Sequence, residues 1–276
     1  MDKMTAALPA LISFVISGGL GLFLVPYLTK KKMDQTEREE GVASHLKKKG
    51  TPTMGGLMFL GGTFVTCLFY MFKYPRICPV LFLTLGFGAI GFYDDYLKVI
   101  KKRSDGLFPR QKLIGQFGVT AVFLLLLLLT KTPLTLRVPF ADGKMWDIGW
   151  LAVPLAFIAV IGTVNGVNFT DGLDGLSTTV TLLVAGFFGI AAILTGTPIV
   201  PVISAVIGGL LAFLMFNAYP AKIFMGDTGS LALGGFVTIT ALILKMPIFL
   251  ILIAFIYLIE ILSVILQVGY FKLTHG

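Results

Sequence analysis

Long runs of apolar residues, separated by short polar segments, dominate the pattern of this chain. A helix that crosses a bilayer needs about 20 predominantly apolar residues, and runs of that size are too long for ordinary strands. Nine runs predict nine transmembrane helices, at 8–28, 54–72, 77–93, 113–130, 149–166, 177–195, 199–217, 229–244 and 247–268. The expected fold is an all-α polytopic membrane protein, in which residues 1–276 form one transmembrane catalytic domain.

Composition supports this interpretation and narrows the possible partners. Only 13% of the residues are charged and 56% are hydrophobic, whereas a soluble domain carries about 25% charged residues. The formal net charge of +8 would suggest nucleic acid in a soluble protein. In a membrane protein, Lys and Arg collect in cytoplasmic loops instead, so we expect no nucleic-acid partner.

The distribution of charge predicts the orientation in the membrane. Nine spans divide the loops into two sets, and fifteen of the 22 Lys and Arg residues fall in the set that begins with 29–53. The positive-inside rule places this set in the cytoplasm and the N-terminus outside. Ten of the 14 acidic residues fall in the same set, which the rule does not predict. We therefore expect a functional site on the cytoplasmic face.

Two further patterns predict local structure. The outer loop 131–148 contains a short apolar stretch followed by Asp142-Gly143, which is typical of a β-hairpin. The glycine pairs at 18–19, 61–62 and 208–209 favour close packing between helices in lipid.

Two polar segments follow predicted helices and contain carboxylates. Asp94 and Asp95 end the third helix, where they either mark a helix end that reaches water, with Lys98 as a partner, or form an anionic site. The segment from Asn165 to Gly175 is either a turn-rich loop or a source of oxygen ligands and N–H groups for Mg²⁺ or phosphate.

Polar residues also precede predicted helices on this face. Asp227 and Ser230 stand at the start of the eighth helix, where they can cap it, attract a phosphate, or do both. The three lysines at 47–49 either anchor the second helix at the membrane surface or bind phosphate. The same alternatives hold for Arg110 and Lys112. Together these segments supply what phosphoryl transfer needs at a bilayer surface: carboxylates, cations and close backbone approach.

At these motifs the chain resembles the phospho-N-acetylmuramoyl-pentapeptide transferase family. The matching segments are KKGTPTMGG at 48–56, GFYDDY at 91–96, NGVNFTDGLDG at 165–175 and FMGDTGS at 224–230. The resemblance covers nearly the whole chain, and the first motif is long and specific. It implies transfer of phospho-MurNAc-pentapeptide from UDP-MurNAc-pentapeptide to undecaprenyl phosphate. The products would be lipid I and UMP, and the reaction would require Mg²⁺ as cofactor. The resemblance also implies that the protein lies in the bacterial cytoplasmic membrane and forms a homodimer.

Matching motif positions imply roles for individual residues. Asp227 would ligate Mg²⁺, and Asp94 would be the catalytic carboxylate that deprotonates the lipid phosphate or attacks directly. Three residues would shape the metal and phosphate site, namely Asp95, Asn165 and Asp174. Two lysines would steer the phosphates, namely Lys98 and Lys112. The remaining candidates are assigned to substrate binding, most of them at the uridine end: Lys48, Thr53, Asn168, Asp171, Gly172, Leu173, Asn217 and Phe224.

The family pattern continues past Phe271-Lys272 into a cytoplasmic loop with a histidine cluster and then a tenth helix. This sequence ends at Gly276, and His275 does not match that cluster. Two alternative functions remain open at this stage. One is a related transferase that uses a UDP-N-acetylhexosamine. The other is a transporter, which would place its ionisable residues near the bilayer midplane, where only Glu260 lies.

Overall fold

The structure is a computed structural model of the chain, and it describes residues 4–31, 33, 50–103, 105–129, 135–141 and 143–274. Within these ranges nine long helices follow one another: α1 (Met4–Lys30), α2 (Gly56–Tyr70), α3 (Ile77–Val99), α4 (Pro109–Leu129), α5 (Ala152–Thr170), α6 (Leu176–Leu194), α7 (Val200–Asn217), α8 (Gly226–Ile243) and α9 (Phe255–Thr274). Each predicted span overlaps one of these helices, so the predicted all-α polytopic fold is confirmed.

Eight of these helices are long and apolar enough to cross a membrane. The exception is α2, whose 15 residues extend for about 22 Å at 1.5 Å per residue. That length is shorter than the bilayer's hydrocarbon core, which is about 30 Å thick. The helix is shorter than predicted because residues 54–55 pair with a loop instead, through the N–H of Gly55 and the carbonyl of Phe224 at 2.9 Å.

Helix α8 lies at the centre of the bundle. It packs against α3 and α5 and also contacts α2 and α6. In its most apolar stretch 83% of the residues are buried, compared with 22% for α1 and 6% for α9. Gly, Ala, Ser and Thr occupy much of α8, and small side chains allow neighbouring backbones to approach closely. The outer helices direct their exposed apolar side chains away from this core, as a lipid-facing surface requires.

Glycines at two of the three predicted pairs mediate close helix contacts. A Cβ added at Gly208 would collide with the backbone of Ala10, and one added at Gly62 would collide with Ser17, so α1 packs closely against α7 and α2. The pair Gly18-Gly19 does not behave as predicted, because a Cβ at either position would meet nothing within 4 Å.

Several helices extend beyond their predicted limits at the end of the bundle that carries the polar motifs, among them α5, which continues to Thr170 rather than ending at 166. α3 continues to Val99 rather than ending at 93, α4 begins at Pro109 rather than 113, and α8 begins at Gly226 rather than 229. Apolar runs mark only the part of a helix that lies in lipid, whereas backbone hydrogen bonding continues into the polar interface. Asp94, Asp95, Lys112, Asn168 and Asp227 therefore lie on helix ends rather than in loops.

The predicted hairpin is present between α4 and α5. Strands β1 (Thr135–Arg137) and β2 (Met145–Asp147) are antiparallel, and Leu136 pairs with Trp146. The N–H of Arg137 donates to the carbonyl of Lys245 at 2.6 Å, which ties the hairpin to the connection that follows α8. Asp142, which the sequence placed in the turn, lies outside the described residues.

Candidate active site

Four helices bring charged or amide side chains together at one end of the bundle. Asp94 lies near the end of α3, Lys112 near the start of α4, Asn168 near the end of α5, and Asp227 at the start of α8. Because α3 and α5 end where α4 and α8 begin, the alternating direction of successive spans places all four side chains on the same membrane face.

Asp95 caps α8 from a neighbouring helix. Its carboxylate is fully buried and accepts three hydrogen bonds: from the backbone N–H of Asp227 at 3.1 Å, and from the N–H and hydroxyl of Thr228 at 2.9 and 2.6 Å. The first N–H groups of a helix have no partner within it, and a carboxylate satisfies them well. Gly91 makes this contact possible, since a Cβ there would collide with the backbone of Asp227.

Asp227 does not cap its own helix, so that structural alternative is wrong. The residue preceding α8 makes no side-chain cap hydrogen bond, and the Asp227 carboxylate faces the cluster instead. One oxygen, Oδ1, accepts from Nδ2 of Asn168 at 2.8 Å. The other, Oδ2, lies 2.5 Å from Nζ of Lys112 and 3.2 Å from Nζ of Lys98. Both oxygens are therefore held by side chains from other helices.

Asp94 shares the same two lysines. Its Oδ2 lies 2.6 Å from Nζ of Lys98, one helical turn along α3, and its Oδ1 lies 3.5 Å from Nζ of Lys112. Oδ1 also accepts the backbone N–H of Leu107 at 2.8 Å, so the connection between α3 and α4 folds over this carboxylate. Asp94 forms the expected salt bridge with Lys98, but its side chain is buried and does not reach water as that alternative supposed. Its carboxylate lies instead in a cluster with those of Asp95 and Asp227.

The charges of this cluster suit a divalent cation and phosphates. Oxygens of Asp94, Asp95 and Asp227 all lie within 4.8 Å of one another. Two ammonium groups oppose three carboxylates, which leaves an excess of one negative charge when all are ionised. Hard cations such as Mg²⁺ bind carboxylate oxygens, so the donor set fits this metal. Lys98 and Lys112 could neutralise phosphate oxygens beside it.

A pair of side-chain amides lies one helical turn deeper in the bundle. Nδ2 of Asn165 donates to Oε1 of Gln116 and to the carbonyl of Ile161, both at 2.8 Å, and Oδ1 of Asn165 accepts from Nε2 of Gln116 at 3.4 Å. Asn165 thus lies beside the site, as expected, although its amide hydrogens are engaged within the protein.

Asn217 and Asp174 hold two surface loops together. Oδ1 of Asn217 accepts from the N–H of Gly175 at 3.2 Å and from the hydroxyl of Thr178 at 2.8 Å, while its Nδ2 donates to the carbonyl of Ile223 at 3.0 Å. Asp174 accepts the N–H of Ala221 at 3.0 Å. Asp174 therefore stabilises the rim of the site, apart from the three clustered carboxylates.

The other predicted binding residues occupy that rim or the segment before α2. Gly172 and Leu173 are exposed at the tip of the loop that starts at Asp171. Thr53 is fully buried, and its hydroxyl has no hydrogen-bond partner among the described residues. Pro52, which precedes Thr53, is hydrogen-bonded to Phe224: the N–H of Phe224 donates to the carbonyl of Pro52 at 2.8 Å. Lys48 lies outside the described residues.

The sequence motifs did not single out Gln116. It is fully buried in the apolar run of α4, and a lone amide in such a run was the available signal, because a polar group in lipid requires a partner. The backbone N–H of Leu107 was also missed. No sequence signal could have identified it, since every residue other than proline has such a group.

Comparison with known proteins gives two family matches. Residues 77–245 match the family described as glycosyl transferase family 4. Residues 48–60 match phospho-N-acetylmuramoyl-pentapeptide-transferase signature 1. The first match contains all three clustered carboxylates, and the second contains the segment that pairs with the start of α8.

Curated relatives are similar to the chain over almost its whole length. It is 49% identical over 267 residues to the phospho-N-acetylmuramoyl-pentapeptide-transferase of Acetivibrio thermocellus, a match that covers 96% of this chain and 81% of the relative. It is 45% identical over 269 residues to the protein of the same name from Bacillus subtilis, covering 96% and 83%. The relative from Halalkalibacterium halodurans is 45% identical over 281 residues, covering 100% and 86%.

Proposed function

The chain belongs to the phospho-N-acetylmuramoyl-pentapeptide-transferase family, and we propose that it performs the reaction for which that family is named. The donor is UDP-MurNAc-pentapeptide and the acceptor is undecaprenyl phosphate. In the net reaction the bond between the β-phosphorus of the donor and the UMP oxygen breaks, and a phosphate oxygen of the acceptor becomes bonded to that phosphorus. The products are lipid I and UMP.

The observation that carries this proposal is the buried cluster of three carboxylates and two lysines at one end of the bundle. Joining two phosphorylated substrates requires their negative charges to be neutralised and their reacting atoms to be aligned. Lys98 and Lys112 supply fixed positive charge. Asp94 acts in one of two ways. It is either the base that takes a proton from the lipid phosphate, or a nucleophile that bonds to the β-phosphorus of the donor, expels UMP and then yields the sugar phosphate to the lipid phosphate.

The carboxylate oxygens of Asp227 and Asp94 would hold Mg²⁺, which supplies charge neutralisation on the diphosphate when bound. Asn168 fixes the direction of the Asp227 carboxylate through its 2.8 Å hydrogen bond to Oδ1. Asp95 holds the start of α8, so that Asp227 keeps its position relative to Asp94. Holding charged groups in place before the substrates bind is how preorganised sites lower a barrier.

We assign the rim of the site to the nucleotide. The exposed tip at Gly172 and Leu173, together with Asp171 and Phe224, would surround the uridine, and Lys48 would lie near it. Asn217 would contribute by holding the two rim loops in register. The acceptor would approach from the membrane, because its isoprenoid chain remains in lipid.

We further propose that the site faces the cytoplasm from the cytoplasmic membrane of a bacterium and that the protein functions as a homodimer. The excess of Lys and Arg in the loops at the site's end of the bundle supports this orientation. The soluble UDP-linked donor then reaches the site from the compartment in which nucleotides are made.

UMP release tests the proposed function. Purified protein in detergent or nanodiscs is given the donor and undecaprenyl phosphate, and UMP is measured as the Mg²⁺ concentration is raised. We expect release that depends on both substrates and on Mg²⁺. Asp227→Asn should reduce the rate at least about a hundredfold, because charge stabilisation of that size is typical of such groups.

Asp105→Asn is the matched control, since Asp105 is an exposed carboxylate on the same face but outside the cluster. This variant should release UMP at the wild-type rate. Replacing the donor with UDP-GlcNAc separates the two transferase functions. Faster release from UDP-GlcNAc would overturn the proposed donor, and no UMP from either donor would overturn the transfer reaction.

A further inference from the structure

Gln116 and Asn165 form the polar contact between α4 and α5 that lies nearest the carboxylate cluster. Gln116 is fully buried, and its amide both donates to and accepts from the Asn165 amide. Burying an amide among apolar side chains is unfavourable unless its hydrogen bonds are satisfied. Here each amide donates a hydrogen bond to the other. The pair therefore favours one particular arrangement of the two helices.

The Gln116–Asn165 pair lies one helical turn further into the bundle than Lys112 and Asn168, the two residues that bind the Asp227 carboxylate. Gln116 follows Lys112 by four residues on α4, and Asn165 precedes Asn168 by three residues on α5. Residues at these spacings share a helix face and lie about 4.5–6 Å apart along the axis. Lys112 and Asn168 bind opposite oxygens of the Asp227 carboxylate. The two helices thus form two adjacent cross-connections, one through Asp227 and one through the amide pair.

Asn165 has no amide hydrogen left for a substrate. One hydrogen of Nδ2 goes to Oε1 of Gln116 and the other to the carbonyl of Ile161. A direct bond from this group to a substrate phosphate would break one of these two hydrogen bonds and leave a protein acceptor without its donor. The geometry therefore favours a role inside the protein for the Asn165 amide hydrogens.

We propose that Gln116 is a positioning residue for the transfer reaction. By holding Asn165 it sets the separation between α4 and α5, and thereby the separation between Lys112 and Asn168 on either side of Asp227. Loosening the pair leaves both substrates bound but lets the Asp227 carboxylate turn away from its productive direction. This inference rests on the proposed function, because it is the turnover step that the positioning serves.

Gln116→Met tests the inference, since methionine has similar length and flexibility but no amide. We expect kcat to fall about ten- to a hundredfold, because small misplacements at a reacting centre have effects of that size. KM for the UDP-linked donor should stay within about twofold. Asn165→Leu should show a similar loss. The double variant should be no slower than the slower single variant, because the two residues act as one unit.

Phe117→Leu is the matched control for packing. Phe117 stacks on Phe157, also between α4 and α5, with ring centroids 5.6 Å apart. Phe117→Leu should keep the wild-type kcat. An equal loss of kcat in Phe117→Leu would show that Gln116 contributes only general packing between α4 and α5, which would overturn the inference. A wild-type kcat in Gln116→Met, or losses that multiply in the double variant, would overturn the inference.

A second readout does not depend on turnover. Nitroxide labels are attached at Leu113→Cys and Phe169→Cys, two exposed positions beside Lys112 and Asn168, after Cys67 and Cys78 are replaced by alanine. Gln116→Met should broaden the measured distance distribution, and Phe117→Leu should not. If the wild type released no UMP, the proposed function would be overturned. An unchanged distance distribution in Gln116→Met would overturn the inference that the Gln116–Asn165 pair sets the separation between α4 and α5.

Discussion

Asp94 and Asp95 are neighbours in the chain, but their side chains leave α3 in directions about 100° apart and contact different partners. Asp94 faces the lysines of the cluster. Asp95 faces the first turn of α8 and accepts three hydrogen bonds there. Although oxygens of both carboxylates lie close to those of Asp227, the hydrogen bonding of Asp95 identifies it as a structural support for the carboxylate that would hold the metal.

Replacing Asp95 should affect folding as well as activity. In Asp95→Asn an amide group replaces one acceptor oxygen and opposes the donors of Asp227 and Thr228. Unsatisfied buried donors cost roughly 1–3 kcal/mol each, so the thermal midpoint in detergent should fall by several degrees. The exposed Asp105→Asn variant should unfold at the wild-type temperature. Wild-type stability in Asp95→Asn would contradict the capping role.

At the scale of elements, close contacts between helices and loops set the geometry of the site. Gly91 lets α3 touch the first turn of α8, where any larger side chain would separate Asp94 from Asp227. Asn217 joins the loop that follows α5 to the loop that follows α7, through bonds to Gly175, Thr178 and Ile223. The cluster of carboxylates and lysines depends on the helix contact, and the rim that we propose binds the nucleotide depends on the loops.

Asn217→Ala should therefore weaken donor binding more than turnover. Without its side chain the two rim loops lose the hydrogen bonds at Gly175 and Ile223, and α6 loses the one at Thr178. Ordering the loops again on binding costs affinity. We expect KM for the UDP-linked donor to rise about tenfold and kcat to change less than about threefold. Thr179→Ala, which removes an exposed hydroxyl one residue beyond Thr178, should leave both constants unchanged. A fall in kcat alone would contradict this division of roles.

Across the whole molecule, the helices run alternately in opposite directions, so the charged cluster lies at one end of the bundle and the β-hairpin at the other. The cluster, the rim loops and the Lys-rich connections lie at one end, while β1 and β2 lie at the other. The eight membrane-length helices make this separation equal to a membrane thickness. A site at one end is consistent with a reaction between a soluble donor and a lipid acceptor, and it differs from the midplane site expected of a transporter.

The orientation can be tested with two exposed lysines. In a background in which Cys67 and Cys78 are replaced by alanine, Lys144→Cys lies beyond the hairpin turn and Lys222→Cys lies on the rim. A membrane-impermeant maleimide should label Lys144→Cys in right-side-out vesicles and Lys222→Cys in inside-out vesicles. Detergent should expose both positions equally. The reverse pattern would place the site outside the cell and overturn the proposed orientation.

Much of this architecture was predictable from the sequence, because the bilayer imposes a simple rule on it. Backbone groups in lipid must be hydrogen-bonded internally, so apolar runs of sufficient length become helices. The hairpin was equally predictable from its turn residues. The ends of α3 and α8 were not, because polar residues at a lipid boundary fit a helix or a loop equally well. Asp95 consequently lies on a helix that the apolar pattern ended too early, and Asp227 on a helix that the pattern began too late.

The sequence by itself determined the class of fold, the number of long helices, the motifs and the end of the bundle at which charge collects, since each follows from local composition and spacing. Only the tertiary structure decided which carboxylate caps α8, that Lys98 and Lys112 bridge Asp94 and Asp227, and that Gln116 pairs with Asn165. Apart from the Lys98–Asp94 pair within α3, which the sequence spacing already suggested, these contacts join residues 18–133 positions apart. Contacts over such separations depend on how the helices pack, and the polar motifs do not encode that packing locally.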